Sequence, residues 1–165
     1  MRLIVVILLT LMLGTAIFAQ EAKNVIFLVG TGLGSVQLDL ARSFAGGALS
    51  MDEFKEQGKV KTGSANSPVP DAAAAATALA TGRKTNNGLV SVLPSGEKLQ
   101  SLAQVMKNKG GKVGIVTNGR VTEPVPAAFY ASSLHATEEA ELAEQALRFK
   151  PDLLLGGGRS SFRPT

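Results

Sequence analysis

Apolar residues in this chain form short unbroken runs that alternate with segments of helical spacing. Continuous apolar runs, typical of strands buried on both faces, occur at residues 24–29, 112–117 and 152–155. Apolar residues three or four positions apart predict helices over residues 36–45, 99–109 and 135–149. Weaker patterns predict a short helix over residues 51–57 and short strands over residues 59–62 and 89–93. This alternation of strands and helices predicts an α/β fold with a mostly parallel sheet.

The strongest helix signal lies between Pro70 and Gly82. Pro70 suits the turn before a helix, Asp71 can accept a hydrogen bond from the first N–H groups, and Gly82 is a usual terminating residue. The residues between them are mostly alanine, the best helix former. A helix N-terminus carries partial positive charge and therefore favours an anion or a nucleophile at position 72. That position is occupied by Ala72.

The first 19 residues have the pattern of a secretory signal peptide. Arg2 is followed by an apolar run over residues 3–13 and then by small residues up to Ala19. The run is shorter than the roughly 20 residues of a membrane span. We therefore expect cleavage near Ala19, no membrane span afterwards, and an exported protein that is periplasmic or extracellular. Residues 20–165 form one domain or part of one.

Composition excludes several kinds of site. The chain has 165 residues, no cysteine and a net charge of +4, so disulfides and thiolate metal sites are excluded and nucleic acid is not favoured as a partner. Arg83 and Lys84 could bind an anion, but a solvated turn is the simpler interpretation. His135 is the single histidine and is expected to lie at the surface, since it cannot form a three-histidine zinc site.

Residues 69–77 resemble the active-site signature of the alkaline phosphatases. In that family the residue after the aspartate is the serine that attacks phosphorus, and here Ala72 takes its place. Gly30-Thr31-Gly32-Leu33-Gly34 resembles the family's glycine turn, with Thr31 where an aspartate bridges zinc and magnesium. A third motif at residues 113–131 and the sequence Leu-Gly-Gly-Gly-Arg at residues 155–159 extend the resemblance over residues 23–164.

The resemblance implies roles for three further positions. The family has a hydroxyl magnesium ligand at the position of Val125, a residue that contacts magnesium through water at Glu123, and a phosphate-clamping arginine at Ala136. It also implies a three-layer α/β/α fold, zinc and magnesium as cofactors, hydrolysis of phosphomonoesters, and frequent homodimers. Because Thr31, Ala72, Val125 and Ala136 lack the required groups, we expect no catalysis and weak metal binding. The family's remaining ligands are expected beyond residue 165, which would leave the fold incomplete at the C-terminus.

Two alternatives stay open at this point. One is a non-catalytic binding or structural module on the same scaffold. The other is a dinucleotide-binding α/β domain that uses the glycines between Gly30 and Gly34. The dinucleotide-binding fingerprint Gly-x-Gly-x-x-Gly needs a glycine at its sixth position, where this chain, counted from Gly30, has Ser35.

Overall fold

The computed structural model describes residues 22–163 of the protein. The chain divides into two compact units, Met1–Gly30 and Thr31–Thr165. The predicted signal peptide, residues 1–19, lies outside the described residues.

In the first unit, the strand predicted over residues 24–29 is wrong. Residues 22–30 form neither helix nor strand, and side chains such as Ile26 and Leu28 are more than 80% exposed. A buried parallel strand needs neighbours at its edges and cover on its faces, and an apolar run alone supplies neither. Without this strand the glycine turn loses the strand-turn-helix setting that a dinucleotide site requires, which counts against that alternative.

The second unit contains five α-helices within the described residues, and most of them match the predicted segments. They are α1 (Ser35–Ala45), α2 (Ala72–Thr81), α3 (Leu102–Asn108), α4 (Pro124–Ala127) and α5 (Glu139–Phe149). Two 3₁₀ turns, Ser50–Glu53 and Arg159–Phe162, complete the helical segments, so the predicted helix over residues 51–57 is reduced to one turn. Helix α3 starts later than predicted because Ser101 caps it, accepting a hydrogen bond from the N–H of Gln104 at 3.2 Å.

Two parallel strands form the sheet of the described chain. Strand β1 (Gly114–Arg120) pairs with β2 (Leu153–Gly157), and Ile115 lies opposite Leu154. The crossover between the strands contains α4 and α5, as expected for an α/β fold. The pairing is irregular between Val116 and Arg120, and it resumes where Arg120 lies opposite Gly157.

The weaker strand predictions are not confirmed. Residues 59–62 form no strand in the described chain. Val60 is 80% exposed, so its side chain packs against no described sheet or helix that would stabilise a strand here. Residues 89–93 make isolated bridges, in which Val90 pairs with Ser133 and Val92 with Lys98.

The core is built around α2 from small side chains. The buried residues of this cluster are Ala73, Ala76, Ala80, Val90, Ala127, Ala128, Tyr130, Ala131, Leu142 and Ala146. Alanine contacts let the helices approach closely, and such close-packed interiors leave few voids. The hydroxyl of the buried Thr77 donates to the carbonyl of Leu89 at 3.2 Å and accepts from the N–H of Ser91 at 2.8 Å. Helix α2 is therefore fixed by packing and by a buried polar link.

No helix within residues 22–163 is long and apolar enough to cross a membrane.

Candidate functional site

A cleft of about 320 Å³, open to solvent, lies where three segments of the second unit meet. They are the start of α2 at residues 71–73, the segment after β1 at residues 120–124, and the segment that leads into α5 at residues 136–139. The carboxyl ends of parallel strands are the edge at which α/β folds bind ligands. The cleft is thus the candidate functional site.

The start of α2 places Ala72 on the wall of the cleft. Ala72 is the first helical residue and its methyl group is exposed. Asp71 fixes this end of the helix, since its Oδ1 accepts from the N–H of Ala74 at 2.8 Å and its Oδ2 from the N–H of Gly88 at 2.6 Å. Both carboxylate oxygens of Asp71 are therefore engaged by backbone donors. Its function in this fold is to cap and position the helix.

The segment after β1 brings a cation to the cleft. The guanidinium of Arg120 lies 2.9 Å from a carboxylate oxygen of Glu139 and 3.7 Å from one of Glu123. Among the described residues that line the cleft, Arg120 is the one cation, against the carboxylates of Asp71, Glu123 and Glu139. The lining thus has an excess of negative charge.

Glu139, the first residue of α5, joins three parts of the fold. One of its oxygens pairs with Arg120, and the other accepts from the hydroxyls of Thr122 at 3.0 Å and Ser161 at 2.9 Å. Thr122 is fully buried and the Glu139 side chain is 29% exposed. Hydrogen bonds to an ionised group are stronger than neutral ones, so this carboxylate is held firmly against Arg120.

The structure brings together three of the five positions that the resemblance assigned. Ala72, Glu123 and Ala136 all line the cleft. The N–H of Ala136 donates to the carbonyl of Gly88 at 3.0 Å, which ties this segment to the loop that also binds Asp71. Glu123 lies at the N-cap of α4.

The other two positions lie elsewhere. Thr31 is exposed in a turn before α1 and is not part of the cleft wall. Val125 is half-buried in α4 and packs against the core. Neither contributes a group to the cleft.

Three residues of the cleft were not predicted from the sequence: Arg120, Thr122 and Glu139. A signal existed for Arg120, because it follows an apolar run that predicts a strand and so belongs to the carboxyl edge. Glu139 gave no such signal, since it belongs to an acidic run that is typical of a solvated helix face. Its partners are 17 to 22 positions away in sequence, so only the fold reveals them.

The remaining candidates lie away from the cleft. Arg83, Lys84 and His135 are all exposed, as the sequence suggested. His135 lines a second pocket of about 250 Å³ that also contains Lys98 and Glu141. The carboxylate of Glu141 accepts from the hydroxyl of Ser133 at 2.6 Å and from the amide of Gln145 at 3.0 Å, so it is engaged by the chain itself.

The described residues do not fit zinc or magnesium. Within residues 22–163 there is no group of three or more His, Cys, Asp or Glu side chains that could hold a metal. Both oxygens of Asp71 and both of Glu139 already have protein partners, while Thr31 is neutral and Val125 has no oxygen. Hard divalent cations depend on several anionic or carbonyl oxygens at one point.

Comparison with known proteins identifies a family. The family model for alkaline phosphatase matches residues 22–165. Streptomycin-6-phosphate phosphatase of Streptomyces griseus is 33% identical, in a match that covers 87% of this chain and 38% of that protein. The repressible alkaline phosphatase of Saccharomyces cerevisiae is 35% identical and is matched over 88% of this chain and 28% of its own length.

Solved structures agree with this result. The alkaline phosphatase of the Antarctic bacterium TAB5 superposes with a TM-score of 0.76 at 31% identity, covering 79% of this chain and 38% of that one. The Thermus thermophilus enzyme gives a TM-score of 0.69 at 33% identity, covering 76% and 27%. The alkaline phosphatase-like α/β fold is confirmed. The chain spans between about a quarter and two fifths of the length of these relatives.

Proposed function

Because this chain belongs to the alkaline phosphatase family, we propose that it is an exported member of that family that does not hydrolyse phosphomonoesters. The family reaction needs a nucleophile, metal ions that activate it, and a positive group that holds the phosphate oxygens. Each requirement can be compared with a particular residue of this chain.

The observation that supports inactivity most directly is the position of Ala72. It occupies the first turn of α2 on the cleft wall, where the resemblance puts the family's nucleophilic serine. A methyl group has no lone pair with which to attack phosphorus. Removing a nucleophile alone can lower turnover by about a million-fold.

The phosphate-holding groups are altered as well. Ala136 lies in the cleft at the position of the clamping arginine and carries no charge. Arg120, which does line the cleft, already pairs with Glu139. The cleft therefore offers a phosphate dianion little to replace its hydration.

Weak metal binding belongs to the same proposal. The family's zinc and magnesium would need a carboxylate at the position of Thr31 and a hydroxyl at the position of Val125, and neither residue reaches the cleft. Calorimetric titration with zinc should give no stoichiometric site of submicromolar affinity. A tight site would show that ligands other than these positions suffice.

Export rests on the pattern of residues 1–19. If this segment is a signal peptide, the mature chain begins near Gln20 and is found in the periplasm or outside the cell. N-terminal sequencing of the protein from those fractions tests this, and an uncleaved chain in the cytoplasm would contradict it.

The activity assay compares the purified mature chain with an active relative such as the TAB5 alkaline phosphatase. We expect no release of phosphate from a generic phosphomonoester at alkaline pH with zinc and magnesium present, and no covalent phosphoprotein. Metal-dependent release together with a phosphorylated intermediate would overturn the proposal.

A repair series sharpens the same test. Ala72→Ser alone should remain inactive, because groups that act as a unit are not additive. Adding Thr31→Asp, Val125→Thr and Ala136→Arg in this 165-residue chain should also fail. Activity in the chain with all four changes would show that the described ligand positions are sufficient.

A further inference from the structure

The geometry of the cleft points to Glu139 as a positioning residue that determines which charge the cleft accepts. We propose that Glu139 neutralises Arg120 and thereby makes the cleft reject small oxyanions. The inference is independent of catalysis, because inorganic phosphate binds without being hydrolysed.

The first support is the contact itself. An oxygen of Glu139 lies 2.9 Å from Nη2 of Arg120, while Glu123 approaches Nε of the same guanidinium at 3.7 Å. An arginine normally offers five N–H donors to an oxyanion. Here its charge is already matched by carboxylates of the same chain.

The second support is that Glu139 is held in place from its other side. The hydroxyls of Thr122 and Ser161 donate to the oxygen that does not face Arg120. Thr122 is fully buried and contributes to the same cleft wall. An incoming anion would therefore have to displace a carboxylate fixed by two hydrogen bonds.

The third support is the charge of the surroundings. Asp71 also lines the cleft, and its oxygens accept from backbone N–H groups at the start of α2 and at Gly88. Asp71 thus already compensates the partial positive charge of the helix N-terminus, which leaves less of it for an incoming anion. Among the described lining residues, removal of the Glu139 charge would leave Arg120 with one neighbouring carboxylate, Glu123, at the longer distance.

The test is a titration of the full-length mature chain with inorganic phosphate, followed by calorimetry and ³¹P NMR at fixed pH and ionic strength. Wild type should show no saturable binding up to about 50 mM phosphate. Glu139→Gln keeps the shape of the side chain and an oxygen acceptor for the two hydroxyls. It should bind phosphate at least about tenfold more tightly than wild type.

Three matched variants separate positioning from general effects. Glu139→Asp keeps the charge and should behave like wild type. Glu144→Gln makes the same charge change on the exposed side of α5, where Glu144 pairs with Arg148, and should not create binding. The double variant Glu139→Gln and Arg120→Gln should lose the gain in phosphate affinity that Glu139→Gln produces.

Equal phosphate affinity in wild type and Glu139→Gln, whether both bind or neither does, would overturn the inference. It would leave the proposed lack of hydrolysis standing. If Glu139→Gln does not fold, Ser161→Ala decides the matter, since it removes one of the two hydroxyls that hold Glu139 against Arg120. That variant should gain about threefold in affinity, and no gain would reject the proposal.

Discussion

Helices α2 and α5 are almost equal in length, with 10 and 11 residues, but their ends are stabilised in different ways. Helix α2 begins after Asp71, which caps it, and ends at Gly82 with φ 71°. Helix α5 follows Glu138, which makes no capping hydrogen bond within the described chain, and ends at Lys150 with φ 52°. Local capping marks both ends of α2, although Asp71 also binds the distant Gly88, whereas the start of α5 is fixed by contacts with distant residues alone.

Removing the cap of α2 should give the largest effect. Asp71→Ala leaves the N–H groups of Ala74 and Gly88 without their partner, so we expect a loss of about 2–3 kcal/mol in the free energy of unfolding. Asp71→Asn keeps an acceptor and should lose about 1 kcal/mol. Urea unfolding followed by circular dichroism measures both, and a loss below about 0.5 kcal/mol for Asp71→Ala would show that the cap is dispensable.

Removing the tie at the start of α5 should cost less. Glu139→Ala deletes the bonds to Thr122 and Ser161 and a partly exposed ion pair, for which we expect about 1–1.5 kcal/mol. Glu144→Ala on the exposed face of α5 is the control and should stay within about 0.5 kcal/mol of wild type. Equal effects of the two changes in urea unfolding would mean that the long-range contacts add nothing.

Improving the end of α5 should stabilise the protein. Lys150 adopts a left-handed conformation that glycine adopts without strain, so Lys150→Gly is expected to raise the free energy of unfolding by about 0.5–1 kcal/mol. Lys109 ends α3 at φ −85°, so Lys109→Gly should give no gain. A higher melting temperature for the first variant alone would confirm the difference.

Helix α1 is also held by a side-chain contact outside the helix, the ion pair between Arg42 and Asp52. Removing it should have the smallest effect on stability of the changes considered. Both side-chain oxygens of Asp52 accept from Arg42, at 2.5 and 3.0 Å, and this pairing together with the N–H of Leu49 lowers the pKa of Asp52 to about 2. Since the folded pKa is depressed, the stabilisation is complete above the unfolded pKa of about 4 and is lost as the pH falls towards 2.

The stability difference between wild type and Asp52→Asn should therefore shrink from pH 6 to pH 2. Urea unfolding at several pH values and low salt measures it. A difference that stays constant with pH would exclude the ion pair as its cause.

The same contrast explains what the sequence could predict. The span of α2 was predicted at both ends because the cap from Asp71 to Ala74 and the left-handed residue Gly82 are local features. The start of α5 was predicted four residues too early, at position 135, because the contacts that place Glu139 come from the end of β1, from the segment after it and from the turn after β2. Spacing along one segment contains no information about these partners.

The cleft follows the same rule. Ala72 and Ala136 were located through the resemblance and do line one cleft, but nothing local showed that Arg120 would lie between two carboxylates. The apolar run at residues 24–29 failed for the related reason that a strand exists only through its neighbours. Contacts between segments that are distant in sequence, such as the ion pairs of Arg120 and the pairing of strands, could not be predicted from the pattern of a single segment.

The aromatic residue at the centre of the core has a spectroscopic consequence. Tyr130 is the single tyrosine of a chain without tryptophan. It is 2% exposed, stacks on Phe149 at 6.4 Å, and its hydroxyl donates to the carbonyl of Val121, next to the cleft residue Thr122. Ultraviolet emission excited near the tyrosine band therefore comes from one site. Changes in the intrinsic tyrosine fluorescence therefore report on the packing of the core beside the cleft, without an attached fluorophore.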